Sequence, residues 1–274
     1  MRETILEKEQ SSLIAAALAA ADAARPVTLA HFRRPGLAAD NKLAGGFDPV
    51  TIADRDAETA MRAVLAKLRP DDGILGEEHS ETVGTSGLKW VLDPIDGTRG
   101  YISGTPTWGV LIGLRDAQGP IFGVIDQPYI GERFVGGFGA AYVEGPMGRA
   151  ELAVTGTRDL AQATILTTFP EVGSAQEGAA FADLAARCKL TRYGMDCYAY
   201  ALLAAGQIDL VVEAQLNSYD IMAPIAVIEA AGGIVSDWRG GPAHEGGRVI
   251  AAATAELHAA ALAILKEVPQ EGAR

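Results

Sequence analysis

The sequence predicts an α/β fold of the α+β kind, and three observations carry that reading. Residues 107–115, 120–126 and 132–143 are apolar, strand-like runs punctuated by glycines and charged turns, the pattern of an antiparallel meander. From Leu152 onward short apolar runs alternate with helical stretches, as in a layered α/β unit. The chain has 274 residues, 49% of them hydrophobic, enough for a large core and one or two domains. A soft boundary near Arg149 separates an N-terminal half, 1–148, from a C-terminal half, 149–274.

In chain order, residues 4–24 read as an Ala-rich helix with Leu13, Ile14, Ala17, Leu18 and Ala21 along one stripe. Pro26 is expected to kink or restart it, because proline has no N–H to donate, and a second helical piece reaches Arg34. Residues 35–50 read as loop. A helix follows over 51–68, with Ala57, Met61, Val64, Leu65 and Leu68 at core spacing. Residues 73–76 are a short buried strand that delivers Glu77 and Glu78. In the second half, strands are expected at 163–168, 189–193, 208–213, 234–237 and 248–253. Helices are expected at 177–187, 196–205, 219–231 and 255–267.

Charge and cysteine usage narrow the function classes. A net charge of −12 argues against a nucleic-acid binder, which needs a basic face. The apolar run 13–24 is interrupted by Asp22 and is too short to span a bilayer, and Glu3, Glu7 and Glu9 do not suit a signal peptide. Cys188 and Cys197 form no C-x-x-C pair and read as buried thiols of a reducing compartment. The expected location is therefore cytoplasmic, with neither nucleic acid nor membrane as partner.

The chain is organised around 90–114, W-V-L-D-P-I-D-G-T-R-G-Y-I-S-G-T-P-T-W-G-V-L-I-G-L. Trp90, Val91 and Leu92 suit a buried strand, and Pro94 should end its regular pairing. Gly97 permits a sharp turn, and Thr98 is placed to cap a short helical turn with outward N–H groups. Asp93 and Asp96 thus crowd together at a strand end. Such crowding calls for a cation, and hard divalent ions that take oxygen ligands are the natural choice. Further acids stand at Asp48, in G-E-E at 76–78 (Glu77 and Glu78), and at Asp220, which opens an apolar helix. A helix-start acid is also favoured by the macrodipole alone. Ser103 lacks a nucleophile-elbow context. Glu78 and His79 read as supporting or solvent-facing side chains, and His31, His244 and His258 have no metal or triad spacing.

The string W-V-L-D-P-I-D-G-T together with the upstream G-E-E resembles the inositol monophosphatase superfamily of metal-dependent, lithium-sensitive phosphatases over about 48–238. The resemblance implies a layered α-β-α-β-α sandwich of the inositol monophosphatase/fructose bisphosphatase type and a homodimer. It implies Glu77, Asp93, Asp96, Asp220 and the carbonyl of Ile95 as ligands to two or three Mg²⁺, with Mn²⁺ as the alternative. Water activated by metal would attack phosphorus directly, with either a Thr98–Asp48 pair or Glu77 assisting, and Gly97 and Thr98 N–H groups holding phosphate oxygens.

Within the superfamily the chain is most similar to the histidinol-phosphatase branch. Inositol monophosphatases continue D-G-T-x-N-F-x-H. Here Thr98-Arg99-Gly100-Tyr101-Ile102-Ser103 follows D-G-T-R-x-F-I-S-G-x-P-x-W-G-x-L-I, with Tyr for Phe. Residues 194–200, G-M-D-C-Y-A-Y, match that branch's G-G-D-C-Y-A-Y except at Met195. Histidinol phosphate carries an ammonium and an imidazole, for which Asp196 and Glu213 are candidate acceptors. Asp196 could otherwise cap a helix and Glu213 face solvent; Arg99 could touch phosphate or pair with an acid across a subunit interface. The alternatives to a histidinol-phosphatase are an inositol monophosphatase, a nucleotide 3′-phosphatase, or a binding module without turnover.

Overall fold

The structure is a computed structural model that describes residues 7–34, 39–41 and 49–269. The first half contains α1 (Glu7–His31), β1 (Ala39–Asn41), β2 (Pro49–Thr51), α2 (Ile52–Leu68), β3 (Gly73–Gly76), β4 (Lys89–Asp96) and the short α3 (Thr98–Ser103). The meander follows as β5 (Gly109–Asp116), β6 (Gly119–Gln127), β7 (Glu132–Gly137), β8 (Ala140–Gly145) and β9 (Gly148–Glu151). The second half contains β10 (Thr164–Thr167), α4 (Ala175–Ala185), β11 (Leu190–Tyr193), α5 (Cys197–Ala204), β12 (Leu210–Leu216) and α6 (Ser218–Ala230). It closes with β13 (Ile234–Asp237), β14 (Gly247–Ala252) and α7 (Ala255–Leu265).

Seven strands form one sheet in chain order from β3 to β9, antiparallel except for the parallel pair β3–β4. A second sheet has the order β11-β10-β12-β14-β13, parallel through β11, β10 and β12 and antiparallel beyond. Helices α1 and α2 cover one face of the larger sheet, where Leu13, Ala17, Met61 and Leu65 meet Trp90, Ile112 and Val124. Helices α5 and α6 fill the space between the sheets, packing Ile221 and Val227 with Leu111 and Ile125 on one side and Val211 and Val249 on the other. Helices α4 and α7 cover the outer face of the smaller sheet through Phe181, Leu184, Leu257 and Leu265. The layers are therefore α-β-α-β-α, as expected. The anticipated boundary near Arg149 falls inside β9.

Three local expectations are corrected. Pro26 neither kinks α1 into two pieces nor restarts it: the helix is continuous to His31. The buried stripe Leu13, Ala17, Ala20, Ala24 and Thr28 stays on one face across the proline, so packing offsets the lost N–H. By length and composition α1 is also apolar enough to cross a bilayer, although the shorter run 13–24 is not; in this structure its stripe packs on α2 and the sheet. The run 132–143 is not one strand but two, joined at Phe138 and Gly139, whose φ values of 53° and 77° suit a tight hairpin. Leu68, expected in the core, ends α2 as an exposed side chain.

One packing feature fixes the position of α6. Gly113, Gly123 and Gly136 are neighbours across β5, β6 and β7. A Cβ on Gly123 would lie 2.3 Å from the Ala223 carbonyl oxygen, and one on Gly136 would lie 2.4 Å from Val227 Cα. Glycine across three strands makes a trough in which the helix backbone lies directly on the sheet.

Candidate metal centre and substrate cavity

Strand β4 carries the first two acids. Its pairing with β5 runs to Asp93↔Leu111, breaks around Pro94, and resumes at Asp96↔Gly109. The expected end of pairing at Pro94 is thus a bulge rather than a stop. Ile95 N–H folds back to donate to Asp93 Oδ1 at 3.0 Å. Gly97 then takes a left-handed conformation, φ 86°, and holds the cap position of α3; Thr98, expected as the cap, is the first helical residue.

Asp220 arrives from the other half. Asn217 and Asp220 form a reciprocal capping box at the start of α6, with Asn217 N–H donating to Asp220 Oδ2 at 2.6 Å. The glycine trough holds that helix start over β4. As a result one carboxylate oxygen from each of Asp93, Asp96 and Asp220 lies within 4.8 Å of the others.

Glu77 lines the same cavity, and its charge acts on Asp93. Its turn is shaped by the fully buried Glu58, whose Oε2 accepts from Glu78 N–H at 2.7 Å while Arg62 donates to Oε1 at 2.6 Å. Gly76 admits that carboxylate, which a Cβ there would meet at 2.1 Å.

Burial, then the charge of Glu77, Asp96 and Asp220, pushes the Asp93 carboxyl well above the usual carboxylate range. Asp96 is raised likewise by burial and by Asp220, against an opposing hydrogen bond of 2.6 Å from Cys197 N–H to its Oδ2. The acids can all be ionised together only beside a cation. An all-oxygen donor set of carboxylates, with the Ile95 carbonyl at the cavity wall, fits a hard divalent ion.

The cavity, of about 480 Å³, is lined by Glu77, Asp93, Ile95, Asp96, Gly97, Thr98, Arg99, Asp196, Glu213 and Asp220, together with Tyr200 and loop residues Thr168, Phe169, Glu171, Val172 and Gly173. Every expected site residue that is described lies here; Asp48 lies outside the described residues. The acid beside Thr98 is Asp54, which the sequence reading missed. Thr98 Oγ1 stands 3.4 Å from Asp54 Oδ1 and 3.1 Å from the Ile95 carbonyl. Asp54 is buried, accepts from Thr51 N–H at 2.8 Å and Thr51 Oγ1 at 2.6 Å, and is raised in pKa chiefly by burial. The T-x-x-D spacing at 51–54, a capping-box signature before a helix, was the available signal.

Asp196 and Glu213 take neither the capping bond nor the solvent position that the sequence left open for them. Asp196 occupies the cap position of α5 but makes no capping bond, and its φ of 46° with ψ −140° is a strained conformation for a residue with a side chain. Its side chain packs on Gly97, where an added Cβ would come within 2.8 Å. Burial raises it to about 6, opposed by Thr107 and Arg99. Glu213 is 6% exposed, not in solvent. It accepts from Thr168 N–H at 2.6 Å, Thr168 Oγ1 at 2.9 Å and Thr167 Oγ1 at 3.1 Å, yet burial still lifts it to about 7. Arg99 lies along the wall with its guanidinium 4.7 Å from the Phe169 ring centroid.

The histidines take structural roles: His79 sits against Thr59 and the Arg55 carbonyl, and His258 against Ser236. Glu78 serves through its backbone bond to Glu58.

Comparison with known proteins bears on this geometry. The sequence profile described as "Inositol monophosphatase family" matches residues 9–270. The chain is 39% identical over 224 residues to the chloroplastic bifunctional phosphatase IMPL2 of Arabidopsis thaliana, a match covering 81% of this chain; it spans 63% of that relative. It is 34% identical over 242 residues to the histidinol-phosphatase of Mycobacterium tuberculosis, covering 86% of this chain and 91% of the relative. Among solved structures, an inositol monophosphatase from Zymomonas mobilis superposes with a TM-score of 0.83 at 37% identity, covering 96% of this chain and all of that one.

Proposed function

Because the chain belongs to the inositol monophosphatase family and is a metal-dependent phosphatase, we propose that its substrate is histidinol phosphate, hydrolysed to histidinol and inorganic phosphate. The observation that carries this choice is the second group of acids in the cavity. Asp196 and Glu213 are not members of the Asp93–Asp96–Asp220 cluster and line the same cavity. An ammonium and an imidazole give buried carboxylates the charged donors they lack. Relatives that carry the histidinol-phosphatase name, 32–34% identical, support the same reading.

Glu77, Asp93, Asp96, Asp220 and the Ile95 carbonyl would hold magnesium, with manganese as the alternative. Bound there, the metal supplies Lewis acidity: it lowers the pKa of water and stabilises charge on phosphate oxygens. The chain's own groups do the rest. Thr98 Oγ1 accepts a hydrogen bond from the attacking water and directs its own proton to Asp54 Oδ1, which fixes the water's lone pair toward phosphorus. The sequence left this role open between a Thr98–Asp48 pair and Glu77; Asp48 lies outside the described residues, and the 3.4 Å approach of Thr98 Oγ1 to Asp54 Oδ1 supports Asp54 for it. Gly97 and Thr98, at the cavity wall, receive the phosphate, and Arg99 balances its charge. The leaving alcohol rests against Asp196 and Glu213. A homodimer in the cytoplasm completes the proposal.

A polyol phosphate also suits acidic partners, and an inositol-1-monophosphatase of Rhizobium meliloti is 33% identical over 210 residues. A substrate panel separates the two. With Mg²⁺ present, histidinol phosphate should exceed inositol 1-phosphate and nucleoside 3′-phosphates in kcat/KM by at least about tenfold, a difference of about 1.4 kcal/mol. Equal rates would overturn the assignment, and no phosphate release from any of them would restore the binding module.

A further inference from the structure

Among the described residues, two buried side-chain polar atoms have no hydrogen-bond partner: Trp108 Nε1 and the Tyr200 hydroxyl. Trp108 belongs to a cluster with Phe32 and Tyr101 and is not part of the cavity wall. Tyr200 lines the cavity. It lies in α5, one turn beyond Asp196, and is only 3% exposed. Burial raises its phenol well above the ordinary value, and the acids that reinforce the effect are Glu213, then Asp96 and Asp220. The hydroxyl therefore belongs to a residue that shares the cavity wall with Glu213, Asp96 and Asp220 and is bonded to none of them.

An unsatisfied hydroxyl in a buried site costs stability, because its hydrogen bonds to water are lost and not replaced. A phenylalanine would fill the same space without that cost. The cost is recovered if a ligand completes the bond, and the chemistry of the neighbours says which ligand group does so. Ionised carboxylates only accept hydrogen bonds. Glu213 and Asp196 can thus satisfy N–H donors, but they offer nothing to a ligand atom bearing a lone pair. A neutral imidazole presents both kinds of atom, one N–H and one acceptor nitrogen.

We infer that Tyr200 is a specificity-determining residue whose hydroxyl donates to the acceptor nitrogen of the substrate's imidazole while a neighbouring carboxylate takes the ring N–H. The inference rests on the proposed substrate and deepens it: recognition reads the ring as a donor–acceptor pair rather than as positive charge alone. A site built to hydrogen-bond a polar group discriminates against analogues that lack it, because its own group is then left unpaired.

The test is equilibrium binding of the product alcohol by calorimetry, in the presence of Mg²⁺ and inorganic phosphate at pH 8. The probes are L-histidinol and L-leucinol, which shares the amino alcohol and lacks the ring, each titrated into wild type and Tyr200→Phe. Wild type should prefer histidinol. Tyr200→Phe should weaken histidinol by about tenfold, leave leucinol within twofold, and melt at the wild-type temperature or higher. Histidinol binding that is unchanged in Tyr200→Phe, or equal losses for the two alcohols, would overturn the role of Tyr200 and leave the substrate assignment standing. A wild type that does not prefer histidinol to leucinol would overturn both.

Discussion

Two sets of carboxylates line one cavity and are held in different ways. Asp93, Asp96 and Asp220 bring oxygens within 4.8 Å of one another, and their mutual charge adds to burial in holding protons on. Glu213 is raised by burial too, but three hydrogen bonds from Thr167 and Thr168 oppose the shift. The first set is an incomplete structure until a cation enters it; in the second, Glu213 already accepts three hydrogen bonds from neutral groups, and Asp196 has a 3.4 Å contact from Thr107. The difference matches the proposed division, chemistry in the first set and selection in the second. Substitutions in the two sets should therefore fail in distinguishable ways.

The largest effect belongs to the metal set. Asp93→Asn should lower kcat/KM by about 10³-fold, about 4 kcal/mol, on every phosphate ester alike, with far-ultraviolet circular dichroism unchanged. Near-normal turnover at saturating Mg²⁺ would remove Asp93 from the metal site. Asp54→Asn comes next: kcat should fall about 10²-fold with KM little altered, as expected for a group that manages a proton. A change confined to KM would instead give Asp54 a binding role.

The selection set should respond more gently and only to the natural ester. Glu213→Gln should raise KM for histidinol phosphate about tenfold, yet leave hydrolysis of phenyl phosphate within twofold. Parallel losses on both esters would erase the distinction between the two sets. The smallest effect is in pH. Binding a cation needs the ionised carboxylate, so with Glu213 near 7 its contribution to KM should improve as pH rises from 6 to 8. Comparing wild type with Glu213→Gln cancels titration of the substrate, which both share. The stability sign is opposite: a carboxyl whose folded pKa is raised stabilises fully below its unfolded value of 4.5 and loses that contribution as pH rises through about 7. Urea titrations at pH 5 and pH 8 should show a decline in wild type that is reduced in Glu213→Gln.

The sequence was most legible where chemistry and local structure coincide. Asp93, Asp96 and Gly97 sit in one short string, and α6 announces itself by its apolar run behind Asp220. Less was visible where a residue serves two masters. Asp54 reads as a helix-capping acid and is one, through Thr51, but the same carboxylate reaches Thr98 across 44 positions of chain. Glu58 and Gly76 meet only in three dimensions. Pro26 misled because a local rule about N–H donors was overridden by the buried stripe on either side of it. Tyr200 carried no signal beyond its place in D-C-Y-A-Y, since an orphaned hydroxyl is a property of packing.

The trough of Gly113, Gly123 and Gly136 has a consequence for how the protein responds to its ion. Asp220 can meet Asp93 and Asp96 only while α6 is seated against the larger sheet, and α6 belongs to the core shared by both sheets. Ion affinity and the cooperative unfolding of the two halves are thereby one linked equilibrium: occupancy at a hundred times the dissociation constant should add about 2.7 kcal/mol to the whole chain, not to a loop. A methyl group at position 123 should weaken ion binding from outside the site by lifting the helix that carries one ligand.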